Sequence, residues 1–359
     1  MAYIEPKRVL YVAYPLLTVS EASAGGAEQV LWTLEHEMAT RGVHTTVAAS
    51  AGSSVSGELF ETGEPCSQPD DFDRRNREHQ DRIVHFVWQR ALEGNPFDLI
   101  HDHSGSFWKR AAEVEVPVLA TLHLSRHFYQ PELFANIPPN VSLNCVSQSQ
   151  ARSFSDLKQM VGVAENGIVL ERFSHHAEKR HGLLWVGRIC EEKAPHLALE
   201  IAERAGMPIT LAGQVYPFSY HQQYFKWEIV PRLERSRAAM FVQSPSAAIK
   251  RKILNGAAAL LITSQVDETS SLVAMEAAAT GTPVVAFRRG ALPEVVRDGI
   301  TGFLVNNVEE ALDALRKIPE IESSGCTRYA AEHFGSSAMA SRYEALYRQV
   351  LRDRFAVPA

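Results

Sequence analysis

The chain has 359 residues, of which 45% are hydrophobic and 22% charged, with a net charge of −6. That is a globular composition, long enough for two domains of roughly 150–180 residues each. It gives no electrostatic footprint for nucleic acid, and no apolar run approaches the ~20 residues that would span a bilayer. The four cysteines (Cys66, Cys145, Cys190 and Cys326) are scattered without a CxxC spacing. They fit neither a zinc site nor a disulfide framework and suit a reducing cytoplasm. The start, MAYIEPKRVLYV, lacks a signal-peptide layout, so a cytoplasmic location is expected.

In chain order, RVLYVAYPLL predicts a buried strand. The loop TVSEASAGG leads to AEQVLWTLEHEMATRG, where Val30, Leu34 and Met38 recur at helical spacing and Gly42 marks the stop. VHTTVAAS reads as the second strand. The stretch Gly57–Arg82 reads as an acidic loop region, its DDFDRRNREHQDR run a solvated face. FDLIHDHS and PVLATLHLS are further strands with polar carboxyl ends, and NVSLNCVSQSQARSF reads as strand, cap and helix. VAENGIVLERF breaks the pattern at Asn166–Gly167, and the charged HHAEKRHG follows, with His175 and His176 read as solvated. The pattern then restarts with LLWVGR, PHLALEIAERAG and PITLAGQV, followed by the strands ALLITS, TPVVAF and GFLV.

Repeated strand–helix–strand units imply right-handed parallel crossovers. The expected architecture is two doubly wound parallel sheets, residues 1–167 and 168–336, with a boundary around 167–181. The last helix, residues 337–355, is amphipathic through Met339, Tyr343, Leu346 and Val350. Open sheets of this kind bind ligands beyond the carboxyl ends of their strands. Polar residues just after strands are therefore the ones to weigh.

One such stretch is DETSSLVAMEAAATGTPVV, residues 267–285. Thr269, Ser270 and Ser271 can cap a helix, and Gly281 with Pro283 can end it. The helix start is a ready anion site, with backbone donors on Ser270, Ser271 and Leu272. Glu268 could merely stabilise the dipole. Glu276 lies about two turns further in, on a face of alanines, and a buried carboxylate there needs a partner, for which the hydroxyls of a ribose would serve. Arg188 and Lys193 follow a strand; they are either phosphate ligands or a surface ion pair with Glu191 or Glu192. Gly25 and Gly26 allow close backbone approach to a ligand, or simply a flexible turn. In His101–Asp102–His103 only the two histidines can share a face. No further ligand follows, so no metal site is expected.

Glu268-x7-Glu276 together with EAAATGTPVVAFRRGALPEVVRDGITGFLV resembles the signature of family 4 retaining glycosyltransferases of the GT-B fold, continuously from Asp267 to Val305. WVGRICEEKAPHLALEIA is similar to that family's Gly–Arg…Lys–Gly element, ENGIVLERF to its interdomain segment, and SAGGAEQVL to its glycine loop. The resemblance implies two facing Rossmann-like domains, acceptor-binding then donor-binding, with the final helix crossing back to the first. It implies sugar transfer from a nucleoside-diphosphate sugar to an acceptor hydroxyl (a glycan, a lipid-linked sugar or a small molecule), with retention and without metal or cofactor. Arg188 and Lys193 match the phosphate-neutralising pair, Glu276 the ribose ligand, and Glu268 the donor-sugar contact. Gly25 and Gly26 match the donor loop, and His123 a histidine that reaches the donor sugar or its phosphate. His103 is a candidate for the acceptor. No membrane span is expected, although peripheral contact with a membrane is compatible with the family.

The chain departs from the pattern at Thr269–Ser270–Ser271, where the family has an apolar or aromatic pair and a glycine, and at Ala194, where it has glycine. The sugar pocket is thus expected to be more polar and slightly narrower. The rival readings are a nucleotide-sugar 2-epimerase on the same fold and a non-catalytic nucleotide-sugar or glycan-binding protein.

Overall fold

The structure, a computed structural model, describes residues 5–23, 25–66, 69–173 and 181–355. His175 and His176 lie outside the described residues. The chain divides into two compact units, Met1–Gly167 with Ser336–Ala359, and Ile168–Gly335.

Among the described residues the first unit is built on seven strands: β1 (Arg8–Val12), β2 (His44–Ala49), β3 (Glu58–Glu61), β4 (Leu99–Asp102), β5 (Val118–Thr121), β6 (Val141–Cys145) and β7 (Met160–Val163). Its helices are α1 (Gly26–Thr40), α2 (Phe72–Leu92) and α3 (Gln148–Ser153). All strand pairs are parallel, in the order β3-β2-β1-β4-β5-β6-β7. The order reverses between β1 and β4, which opens a crevice at the carboxyl ends of these two strands.

The stretch read as an acidic loop is in fact β3 and the first half of α2. Along α2 the residues Arg75, His79, Ile83, Val84, Phe86 and Val87 are buried, a stripe at helical spacing beneath an outer face of arginines and acids. The charges describe only that outer face.

The second unit has six parallel strands in the order β10-β9-β8-β11-β12-β13. They are β8 (Leu183–Arg188), β9 (Ile209–Gln214), β10 (Ala239–Gln243), β11 (Ala259–Ile262), β12 (Val284–Phe287) and β13 (Gly302–Val305). The helices are α4 (Pro195–Ala205), α5 (Ser219–Tyr224), α6 (Val230–Arg235), α7 (Ala247–Gly256), α8 (Leu272–Ala279), α9 (Leu292–Val295), α10 (Val308–Lys317) and α11 (Ser323–His333). Leu184 packs on one side of the sheet, and Leu183 and Trp185 on the other. Both faces are covered, which is why these strands read as unbroken apolar runs. Here the order reverses between β8 and β11. Gly187 and Gly213 face each other across β8 and β9, where a Cβ on Gly213 would lie 1.8 Å from the Gly187 carbonyl oxygen.

The last helix, α12 (Ser336–Phe355), belongs to the first unit, as the resemblance implied. Met339, Tyr343, Tyr347 and Val350 are buried on one face, and Arg41 at the end of α1 pairs with Glu344 at 2.9 Å. Among the described residues no helix is long and apolar enough to cross a membrane.

Tyr343 is fully buried, so Tyr343→Ala should cost the first unit about 3–5 kcal/mol in chemical denaturation. A loss below about 1 kcal/mol would show that α12 is not part of this core.

Candidate functional site

At the switch point of the second unit, β8 delivers Arg188 to the sheet edge, its guanidinium carbon 5.9 Å from the ring centroid of Tyr216. The chain then makes a short turn, Glu191–Lys193, and passes through Ala194 at φ 48°. That left-handed backbone suits glycine and strains alanine, which is a physical reason for the family's glycine there. The turn is tied to the end of β11. The Thr263 hydroxyl donates to the Ala194 carbonyl at 2.8 Å, and the Gln265 N–H donates to the Glu192 carbonyl at 2.8 Å.

This anchoring aims Lys193 at Glu268. Its ammonium lies 2.5 and 2.6 Å from the two carboxylate oxygens. Lys193 therefore pairs with neither Glu191 nor Glu192. Glu268 is itself held by the loop after β12, where the Ala291 N–H donates to the Glu268 carbonyl at 2.7 Å. Gly290 sits at φ 53°, and a Cβ there would come within 2.3 Å of the Glu268 carbonyl oxygen. Only glycine lets the two loops meet.

α8 begins at Leu272, so Glu268 precedes the helix by four residues rather than standing in its first turn. Ser271 is the N-cap but makes no side-chain cap bond. Among the described residues the Ser270 hydroxyl is buried with no partner. Glu276, 4% exposed, gives one oxygen to the Lys250 ammonium at 2.7 Å, while its Oε2 is buried and unpartnered. Lys250 was not singled out in the sequence. It stands one helical turn before the buried Leu254 on α7, so its stem shares a core-facing side.

In the first unit, His101 and His103 share a face at the end of β4, as alternation requires. Asp102 turns the other way and accepts from the N–H groups of Ser104 (2.7 Å) and Trp108 (2.9 Å). The histidines form a hydrogen-bonded chain whose tautomers can be reasoned out. Thr121 donates its only proton to Asn144 Oδ1 at 2.8 Å, so the His101 Nε2 beside it, also at 2.8 Å, must be the N–H. His101 Nδ1 is then a lone pair, with the Tyr347 hydroxyl at 2.7 Å and His103 Nε2 at 3.3 Å. A protonated His103 Nε2 leaves its Nδ1 to accept from His123 Nε2 at 2.9 Å.

Burial pushes His101 and His103 well below the usual imidazole range and His123 down to about 4, so all three are neutral near pH 7. His103 is 3% exposed and touches His123. Gly25 precedes α1, and a Cβ on it would strike the buried Glu28 carboxylate at 2.0 Å. Its lack of a side chain makes room for that group. Gly26 is the first residue of the helix.

Residues 24–172 match the family described as Glycosyltransferase Family 4, and residues 180–320 match Glycosyl transferases group 1. The chain is 26% identical to the D-inositol 3-phosphate glycosyltransferase of Mycolicibacterium paratuberculosis, over 97% of this chain and 92% of that protein. It is also 26% identical to the protein of the same description from Mycolicibacterium smegmatis, over 72% of this chain and 68% of that one. Among solved structures, a sucrose-phosphate synthase from Thermosynechococcus elongatus superposes with a TM-score of 0.77 at 18% identity, over 97% and 100% of the two chains. Anabaena HepE in complex with UDP-glucose gives 0.73 at 15%, over 98% and 100%.

Two measurements check the geometry. Gly290→Ala should lower stability by about 2 kcal/mol, because the new methyl overlaps the Glu268 backbone; an unchanged denaturation midpoint would contradict it. The second concerns pH. Unfolded imidazoles protonate as pH falls through about 6.5, whereas His79 and His123 stay neutral in the fold to about 4, and His101 and His103 also resist protonation. In that window the unfolded chain binds more protons, so stability drops on acidification, by at most about 1.4 kcal/mol per pH unit for each imidazole. Asp102 (raised to about 6) and Glu28 (also raised) act in the opposite sense but are outnumbered. The melting temperature should fall between pH 7 and pH 5, and a flat or rising profile would contradict this account.

Proposed function

The chain belongs to the family 4 glycosyltransferases and has their GT-B fold, and from that premise we propose that it transfers a sugar from a nucleoside-diphosphate donor to an acceptor hydroxyl with retention of configuration and without a metal on the diphosphate. The observation that carries this reading is the pair of unmet polar groups on Ser270, just before α8, and on Glu276, within it. Among the described residues Ser270 Oγ and Glu276 Oε2 are buried without partners, and Lys193 pairs with Glu268 on the same loop as Ser270. An unpartnered buried acceptor such as Glu276 Oε2 costs about 1–3 kcal/mol, which a ribose hydroxyl would offset by donating to it. The diphosphate oxygens, being acceptors, suit the Ser270 hydroxyl and the first N–H groups of α8.

An ammonium has three donors. Glu268 takes two of those on Lys193, leaving the third for a phosphate oxygen. Arg188 supplies a planar fork for the same anion. As the bond from the anomeric carbon to the diphosphate breaks, its electron pair goes to the departing oxygen. The acceptor oxygen bonds to that carbon on the same face and hands its proton to the leaving phosphate. No protein base is required, and Arg188 and Lys193 offset the growing charge. Glu268 places negative charge where the anomeric carbon becomes positive. His123, neutral and with its Nε2 proton directed to His103, suits a sugar hydroxyl rather than a phosphate.

A structural relative is held in complex with UDP-glucose, so uridine nucleotides head the test. In a thermal-shift panel of nucleoside diphosphates and their sugars, the true donor at a hundred times its Kd should stabilise by about 2.7 kcal/mol. With acceptor present, the product should keep the donor's anomeric configuration. Arg188→Ala should lower turnover by at least about a hundredfold with the melting temperature unchanged. No shift with any nucleotide, an inverted product, or an altered donor sugar formed without acceptor would each contradict the proposal.

A further inference from the structure

The turn that carries Lys193 holds a second constellation. Two residues beyond Arg188 comes Cys190, fully buried, and then Glu192; His221 reaches the same place from α5. One ligand atom from each of the three lies within 4.8 Å of the other two. His221 is 0% exposed, yet neither of its ring nitrogens has a hydrogen-bond partner, and Glu192 Oε2 is buried without one as well. A neutral imidazole has one donor and one acceptor to satisfy, and buried polar atoms are rarely left unmet in pairs. The rings around His221 belong to Tyr216, Phe218 and Tyr220, with centroids 6.1, 5.5 and 4.3 Å away. They enclose it without answering its nitrogens.

We propose that Cys190, Glu192 and His221 bind a divalent transition-metal ion of the zinc type. A thiolate, an imidazole and a carboxylate are the ligands such an ion takes, whereas magnesium and calcium prefer oxygen alone. Cys190 now holds its proton, directed at the Arg188 carbonyl 3.6 Å away. On binding, the sulfur–hydrogen bond is replaced by a sulfur–metal bond, and the proton leaves to solvent. Thiolate and carboxylate together balance the charge of the ion, so the neighbouring Arg188 guanidinium meets a neutral centre. Three protein ligands leave a fourth tetrahedral position for water or an anion.

The spacing Cys-x-Glu with a histidine on a separate helix is no metal motif in sequence, and the fold alone brings the three together. The ion would tie the Glu191–Lys193 turn to α5 and hold Lys193 from behind. This is independent of the donor assignment, since the ion lies on the protein's own ligands rather than on the diphosphate.

Chelator-treated full-length protein titrated with Co²⁺ gives the test. One equivalent should bind with a thiolate-to-cobalt charge-transfer band in the near ultraviolet, and Zn²⁺ should abolish that band by displacing the cobalt. Zn²⁺ should also raise the melting temperature of the chelated protein. Cys190→Ser should lose the band, His221→Gln should weaken binding at least tenfold, and Cys66→Ser, in the other unit, should leave both unchanged. If Cys190→Ser does not fold, loss of the metal on dialysis of His221→Gln, under conditions in which the native chain keeps it, gives the same answer. No charge-transfer band on the native chain, or a band and affinity that survive His221→Gln, would overturn the proposal.

Discussion

A buried carboxylate inside an alanine-rich helix must be met by a partner, and the architecture at the carboxyl edge of the second sheet follows from how that requirement is satisfied. Glu276 rises from α8 among Ala274, Ala277 and Ala278, and Lys250 reaches it from α7. The pair ties α7 to the interior of α8. From that point the remaining contacts fall into order. Gly290 lets the loop after β12 close on the Glu268 backbone, Thr263 holds the turn before α4, and Lys193 meets Glu268 between them. β8 and β11 are hydrogen-bonded neighbours at the point where the strand order reverses, so residues far apart in sequence converge on one sheet edge.

Polar order in the first unit has a different source. His101, His103 and His123 stand at the ends of β4 and β5 and are kept neutral by burial. The proton on His101 Nε2 is set from outside, by Thr121 and its acceptor Asn144. The last helix completes the hydrophobic core of the unit and also brings the Tyr347 hydroxyl, which donates to Tyr11, against the His101 ring. A cation-bearing site and a neutral, lone-pair-bearing site are thus built on two copies of one sheet topology.

Much of this was legible in the sequence because it is local. The strands β1, β8 and β11 announce themselves as apolar runs, α12 through Met339, Tyr343 and Val350, and the loop before α8 through the continuous Asp267–Val305 motif. Glu276 could even be read as a buried carboxylate in want of a partner, since alanines flank it. What escaped was the identity of that partner. Lys250 is one of three cations in IKRK, and only the packing of α7 selects it. The sequence of β3 and the first half of α2 reads as a loop because arginines and acids dominate its composition, although the apolar stripe Ile83–Val84–Phe86–Val87 lies just beyond. His221 and Cys190 carried no signal at all. Their proximity is created by the crossover between β8 and α5, and sequence spacing does not record it.

The central claim is that the open oxygen of Glu276 receives a ribose hydroxyl of the donor nucleotide. Calorimetric titration of the tightest-binding nucleoside diphosphate and its 2′,3′-dideoxy analogue into the native chain and into Glu276→Gln tests it directly. The account predicts that the substitution weakens the ribonucleotide about tenfold or more and barely changes the dideoxy form, since each change removes the same hydrogen bond. Equal losses for both ligands, or none for either, would contradict it.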